Sequence, residues 1–329
     1  MTTDKEHKQN YNQEFTNLTI GYMINPDKVY YNEMDDVIIK HFLERGAKVE
    51  PFNIDEIHFS ISNTNGIEVF IKNLKVNWDG FLSYGYMSKF HFEAYMYIVS
   101  SLEKANILTL HTAEHERILN NKLEQYLRFC KAGLGIPDSH MGFSILTYKW
   151  IAQDNFKGAS VYKKLDDYGG EGVFKADTPE SLVSSAAKIL WKNEYCIFQK
   201  FVPDSLGKSV RVLCLKGKAV AVAEYNDKTN NFRSNYSLTD EYYSLDSLME
   251  SEKYLEYAKL SELAIQSIGN VLIGGVDILD SQAMGMVVLE VNGWPDIFDI
   301  ARSTKIDVFA LFANSFLENC ALHKNKTTN

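Results

Sequence analysis

The sequence predicts a mixed α/β and α+β architecture, in which a small domain with a parallel sheet precedes a longer antiparallel region. Three observations lead to this expectation. A strand, an amphipathic helix and a second strand open the chain; β-rich runs broken by glycines fill its middle; two hairpins of strongly apolar strands dominate its last third.

Residue spacing justifies each element in turn. After a polar stretch over 1–16, LTIGYMI reads as a buried strand, and DDVIIKHFLERGAKVEPF reads as an amphipathic helix, a stop at Gly46 and a second strand. DGFLSYG, beginning at Asp79, is a further strand. Phe92, Tyr95, Met96 and Val99 share one helical face, and ILTLH closes the unit as a short strand, so 17–113 is expected to form the parallel-sheet domain. A helix over about 120–132 ends at Gly133 and Gly135 with Pro137 beyond, the residue types that stop helices. SVYKKL and GVFKA then read as strands around a glycine loop, 179–191 as a helix and YCIFQKFV as a strand, which makes 114–195 a central subdomain. In 196–329, SVRVLCL and AVAVAEY form a hairpin turning at Lys216-Gly217-Lys218, before a helix over about 251–269, a second hairpin and a final helix.

Composition excludes several classes. With 329 residues, 45% of them hydrophobic, the chain can bury a sizeable core. Its 43 acidic against 34 basic side chains, a net charge of -9, repel nucleic-acid phosphate, so no nucleic-acid partner is expected. Cys130, Cys196, Cys214 and Cys320 lack CxxC spacing and read as reduced thiols. The opening residues are polar where a signal peptide is apolar, and no run approaches the roughly 18 apolar residues of a membrane span. The expectation is a soluble cytoplasmic protein without a membrane partner.

The richest chemistry lies in VLIGGVDILDSQAMGMVVLEVNGWP, where each of two apolar strands carries an acid near its middle. A hairpin centred between Ala283 and Met284 sets Asp277 opposite Glu290, with Asn292 two residues further along the same face. Opposed carboxylates repel unless a cation lies between them, and two carboxylates with an amide oxygen make a hard, incomplete ligand set suited to Mg2+. From the hairpin alone, the same acids also read as rim residues of an ordinary turn. Upstream, Lys163 is followed by a loop containing Gly169, Gly170 and Gly172; glycines let backbone N–H groups approach phosphate, and lysine adds a point charge. No GK[ST] opens a helix there, so it is not a Walker A loop, and taken alone a glycine-rich hairpin turn is the commoner reading of such a segment.

Together these segments resemble the ATP-grasp superfamily, and within it the RimK-like carboxylate-amine ligases related to bacterial glutathione synthetase. The glycine loop resembles the family's lid, CIFQKFV its adenine-binding hinge, Asn231-Phe232-Arg233-Ser234-Asn235 its FRSN segment, and GVDIL with LEVN its metal-binding hairpin. HTAEHERILNNKLEQYLRFCKAGLGIPDS is similar to the helix and loop that lead into the central domain. The resemblance implies an ATP-grasp fold with an N-terminal Rossmann-like domain, ATP as cofactor and two Mg2+ or Mn2+ ions. It implies phosphate contacts from Lys122 and Lys163, the glycine loop over the phosphates, and an adenine pocket at Gln199, Lys200, Phe201 and Val202. Asp204 would contact ribose; Arg211, Arg233 and Asn235 would stabilise phosphate or acyl-phosphate oxygens; Asp277, Glu290 and Asn292 would hold the metal.

The activity so implied is ATP-driven amide formation on a small molecule, peptide or protein terminus, by a dimer or tetramer. Alternatives within the resemblance are a peptide-tailoring ligase that joins side chains of a precursor, and a non-catalytic ATP-binding module similar to synapsin. Departures from the pattern gather where an acceptor would bind. Ser209-Val210-Arg211 lacks the acid that usually precedes the arginine, Tyr236-Ser237-Leu238-Thr239-Asp240-Glu241 replaces a glycine-rich stretch, and Asn292-Gly293-Trp294-Pro295-Asp296 replaces NxSPG. Glutamate is therefore not the favoured acceptor. His111 and His115 have helical chelate spacing but neither HExxH nor a third ligand, and a structural role is expected for them.

Overall fold

β1 (Thr19–Met23), α1 (Asn32–Glu44) and β2 (Lys48–Phe52) form the strand, helix and strand that open the chain. The computed structural model describes residues 15–26, 32–85, 87–154, 159–165, 173–228 and 243–327. A feature absent from the sequence reading follows: β3 (Ile57–Ser62), β4 (Gly66–Ile71) and β5 (Leu74–Lys75) make a small antiparallel sheet of their own. β6 (Gly80–Leu82), α2 (Lys89–Lys104) and β7 (Leu108–Thr109) then complete a parallel sheet in the order β2-β1-β6-β7. α2 starts at the Ser88 cap and buries Tyr95, Ile98, Val99 and Leu102 at helical spacing.

The second compact unit covers Ala113–Val308. It begins with α3 (Ala113–Leu119) and α4 (Lys122–Lys131), whose Asn121 cap accepts the Glu124 N–H. β8 (Ser139–His140), α5 (Ile145–Asp154), β9 (Ser160–Lys164), β10 (Val173–Ala176), α6 (Pro179–Trp191) and β11 (Cys196–Lys200) build an antiparallel sheet in the order β10-β9-β11-β8. α6 has both start signals, a Thr178 capping box and Pro179 in its first turn. Tyr148, Tyr162, Leu182, Ala186 and Phe198 form the core beneath it.

β12 (Lys208–Leu215), β13 (Lys218–Asp227), β14 (Tyr243–Ser247), α7 (Tyr254–Ser267), β15 (Ile273–Ser281), β16 (Gly285–Asn292) and α8 (Ile297–Thr304) finish the unit. The sheet order is β14-β13-β12-β15-β16, all antiparallel. Between β12 and β13 the two turn residues, Lys216 and Gly217, both have positive φ, as a tight type I′ turn requires. Val212, Val222, Ile265, Val276, Val288 and Val291 form the main core between this sheet and its helices.

α9 (Val308–Thr327) departs from the expected 196–329 segment, because from Phe309 onward it belongs to the first compact unit. Phe312 and Phe316 pack against Phe42, and the Arg45 guanidinium bonds Asn314 and the Ala310 carbonyl. Gly80 lies under the Cys320 sulfur, in the space a Cβ would occupy. Gly80→Ala is therefore expected to destabilise the protein by about 1–3 kcal/mol through overpacking, read as a lowered thermal midpoint. Among the described residues no helix is long and apolar enough to cross a membrane, and the four cysteines are free thiols, with Cys130 exposed and the others buried.

Candidate active site

The central strand β12 is buried along all but its first residue, and Arg211 on it lies directly opposite Asp277 on β15. Asp277 in turn lies opposite Glu290 on β16. Directly paired residues share a face of the sheet, so three adjacent strands present a row of arginine, aspartate and glutamate. The Arg211 guanidinium holds Asp277 at two points, Nε to Oδ1 and Nη2 to Oδ2, each 2.6 Å. Its planar group also rests on the Tyr225 ring, 5.3 Å from the centroid.

Two lysines complete the cluster. Lys122, the first residue of α4, is buried and puts Nζ 3.4 Å from Glu290 Oε2. Its backbone N–H donates to the Leu165 carbonyl at 3.1 Å, which ties the start of α4 to the end of β9. Two residues before Leu165, Lys163 is likewise buried, and its charge acts on both acids.

The expected opposition of Asp277 and Glu290 is present, although the turn is centred one half-residue away from the expected point. Ser281 pairs with Gly285, a register that on its own would set Asp277 against Leu289. A bulge at Leu289 shifts the ladder between Asp277 and Ile278 and restores the facing carboxylates.

Burial raises the Asp277 carboxyl above the ordinary aspartate range, against the pull of Arg211. At Glu290 burial acts in the same direction, but Lys122, Lys163 and Arg211 together outweigh it and hold the group below the usual glutamate value. Burial pushes the Lys163 ammonium below the normal lysine range, with Glu290 and Asp277 resisting. Three cations thus surround two carboxylates, a surplus of positive charge that suits an anionic ligand such as a polyphosphate.

The donor set fits a hard metal ion. Among the described residues no three His, Cys, Asp or Glu side chains gather as a metal cluster. Asp277 and Glu290 supply carboxylate oxygens, and Asn292, two residues beyond Glu290 and opposite Gly275, supplies an amide oxygen that also accepts the Trp294 N–H at 3.0 Å. Such a partial shell leaves positions for water and phosphate, as magnesium prefers. Arg211 uses one lone pair on each Asp277 oxygen, and each oxygen retains another.

The residues expected to form the adenine hinge lie at the end of β11 and just beyond it. Gln199 is buried and donates to Ser139 Oγ at 2.9 Å. Lys200 is exposed, with its N–H donating to the Asp138 carbonyl; the Phe201 N–H donates to the Ala159 carbonyl, and Val202 is buried. The Lys175 ammonium sits 4.9 Å over the Phe201 ring. The Asp204 carboxylate accepts from Ser281 Oγ and the Ala283 N–H, so it fastens the turn of the β15–β16 hairpin. His115 packs beside Gly269, and among the described residues it belongs to no group of three His, Cys, Asp or Glu side chains that could hold a metal. Gly169, Gly170, Gly172, Arg233 and Asn235 lie outside the described residues.

Gln125, Tyr126 and Tyr225 are site residues that the sequence reading missed. The first two follow Lys122 by three and four positions, a helical spacing that places them on its face.

Residues 120–316 match the description of the RimK-like ATP-grasp domain, a span that contains the whole charged cluster. The chain belongs to the RimK-like ATP-grasp family. ATP-grasp ligases use ATP and Mg2+. This family member is 28% identical over 216 residues to a probable alpha-L-glutamate ligase of Shewanella halifaxensis (strain HAW-EB4), across 65% of this chain and 45% of that one. It thus matches less than half the length of that relative. Among solved structures, the ATP-grasp ligase PsnB complexed with minimal precursor superposes with a TM-score of 0.67 at 14% identity, covering 92% of this chain and 99% of PsnB. The macrocyclase MdnC of Microcystis aeruginosa MRC, bound with precursor peptide MdnA, gives 0.65 at 17% identity, covering 91% and 99%. These likenesses establish the ATP-grasp fold.

Proposed function

We propose that this RimK-like chain is an ATP-dependent carboxylate-amine ligase acting on a peptide substrate. The observation that carries the reading is the buried group of Lys122, Lys163 and Arg211 around the facing Asp277 and Glu290, a phosphate-holding charge pattern with oxygen donors for a cation beside it. Full-length likeness to PsnB and MdnC, whose structures hold precursor peptides, supports a peptide in preference to a free amino acid. Replacement of the family's acid before Arg211 by Ser209 also supports an acceptor other than glutamate.

In this reading a substrate carboxylate oxygen attacks the γ-phosphorus of ATP. The bond to ADP breaks, giving an acyl phosphate. An amine nitrogen then attacks the acyl carbon, the carbon–oxygen bond to phosphate breaks, and loss of the amine proton leaves an amide. Lys122 and Lys163 hold phosphoryl oxygens, and Arg211, oriented by Asp277 and Tyr225, faces the charge of the transferring group. Arg233 and Asn235 are assigned to the acyl-phosphate oxygens. Asp277, Glu290 and Asn292 would hold Mg2+, which would neutralise charge on the phosphates. Gln199, Lys200, Phe201 and Val202 frame the adenine; the glycine loop covers the phosphates.

ADP release measured against a panel of peptides, acids and amines tests the proposal, with mass spectrometry of the products. The expected result is peptide-stimulated ADP and phosphate release with a product lighter than its precursors by one water per bond. Tight ATP binding without turnover across the panel would instead identify a nucleotide-binding module.

A further inference from the structure

Glu290 reaches the face of Asp277 only because β16 carries one extra residue. Below the bulge, Asp280, Leu279 and Ile278 pair with Met286, Val287 and Val288; above it, Asp277, Val276 and Gly275 pair with Glu290, Val291 and Asn292. Side chains alternate between faces, so a one-residue slip exchanges them. Without the bulge Glu290 would stand opposite Val276, inside the apolar core that Val276 shares with Val288 and Val291. Asn292 would change its partner as well, and the oxygen donors would separate.

Something must therefore hold the bulge, and α4 does. The Tyr126 hydroxyl donates to the carbonyl of Leu289, the bulged residue, at 2.6 Å. The Gln125 side chain takes both backbone groups of Val291: Oε1 accepts the N–H at 2.7 Å and Nε2 donates to the carbonyl at 3.0 Å. The backbone is gripped immediately before and immediately after Glu290. Both gripping side chains are buried and sit one turn along from Lys122, which pairs with the Glu290 carboxylate itself.

We propose that Tyr126 and Gln125 are positioning residues that set the geometry of the Asp277–Glu290 cation site by clamping the Leu289 bulge. The inference rests on the ligase reading for the identity of the cation. Both side chains act through Glu290, whose flanking backbone they hold. A merely structural role would lower stability and leave cation affinity alone, whereas this role changes cation affinity specifically.

The test compares Tyr126→Phe, and Gln125→Met as a second variant, with Tyr148→Phe. Tyr148 donates to the Cys196 carbonyl at 3.0 Å in the core under α5, so its loss removes the same kind of buried bond away from the hairpin. Calorimetric titration of ADP at increasing Mg2+ reads the cation dependence, the same titration in EDTA reads the nucleotide alone, and thermal melting reads stability. Loss of support behind a metal ligand typically lowers affinity by roughly 10–100-fold. The expected result is a rise of about tenfold or more in the Mg2+ concentration needed for half-maximal effect in the Tyr126 and Gln125 variants. Binding in EDTA should be unchanged, excess Mg2+ should restore the parental behaviour, and Tyr148→Phe should melt earlier with parental Mg2+ dependence. A parental Mg2+ dependence in Tyr126→Phe, or an equal shift in Tyr148→Phe, would overturn the clamp. Glu290→Gln separates the two claims: if the parent's ADP binding depends on Mg2+ and Glu290→Gln abolishes that dependence while Tyr126→Phe does not change it, only the clamp fails. A parent with no Mg2+ dependence removes both.

Discussion

Glu290→Gln is expected to fold like the parent and to release ADP from ATP at least about a hundredfold more slowly, because it removes a charged oxygen donor from the proposed cation site without removing packing volume. Its structural cost should be small for a reason visible in the site. Glu290 is the more open of the two acids, with 21% side-chain exposure, and its partner Lys122 stands 3.4 Å away rather than in a tight pair. Gln can still accept hydrogen bonds at the same place. Steady-state ADP release and a melting curve on the same preparation check the expectation, and parental turnover would remove Glu290 from the cation site.

Asp277→Asn is expected to behave differently although the same kind of oxygen is removed. Asp277 is 2% exposed and its two oxygens are held by Arg211, itself 7% exposed. The substitution leaves a buried guanidinium without its counter-charge, a change that costs about 3–5 kcal/mol. For a unit of this size that corresponds to a melting point lower by on the order of 10 °C, together with loss of ADP release. Arg211→Met should destabilise for the mirror-image reason, and joining the two as Arg211→Met with Asp277→Leu should recover much of the stability while activity stays lost. Melting points of the parent, Arg211→Met, Asp277→Leu and the double variant form the cycle that decides it. Equal melting points for Asp277→Asn and Glu290→Gln would contradict the distinct roles drawn from their burial.

Asp277 and Glu290 were legible because each interrupts an apolar run, Asp277 between Val276 and Ile278 and Glu290 between Leu289 and Val291. Their exact pairing was legible for a less direct reason. Placing the turn centre between Ala283 and Met284 and ignoring the bulge are two departures from the structure that offset each other. Leu289 has nothing in its own identity that marks it as bulged, since the group that fixes it, Tyr126, lies far back in the chain. Lys122 looks like any helical lysine until Glu290 stands over it. The β3–β4–β5 sheet was missed although Ile57, Phe59 and Ile61 alternate, because most of that strand is exposed and no apolar run calls attention to it. α5 was missed for a related reason: Leu146 and Trp150 are exposed beside buried Tyr148 and Ile151, which blurs its face. Apolar faces also do not name their partners, and α9 accordingly gave no sign that it packs with the first unit.

β16 is the last strand of its sheet, and a bare edge of this length would offer main-chain groups to any passing extended chain. Here the Val288 N–H goes to the Gly135 carbonyl at 2.8 Å, the Leu289 carbonyl to Tyr126, and both groups of Val291 to Gln125. Gly135 comes so near that an added Cβ would sit 2.9 Å from the Met286 oxygen. Helix and loop therefore seal this border against strand addition.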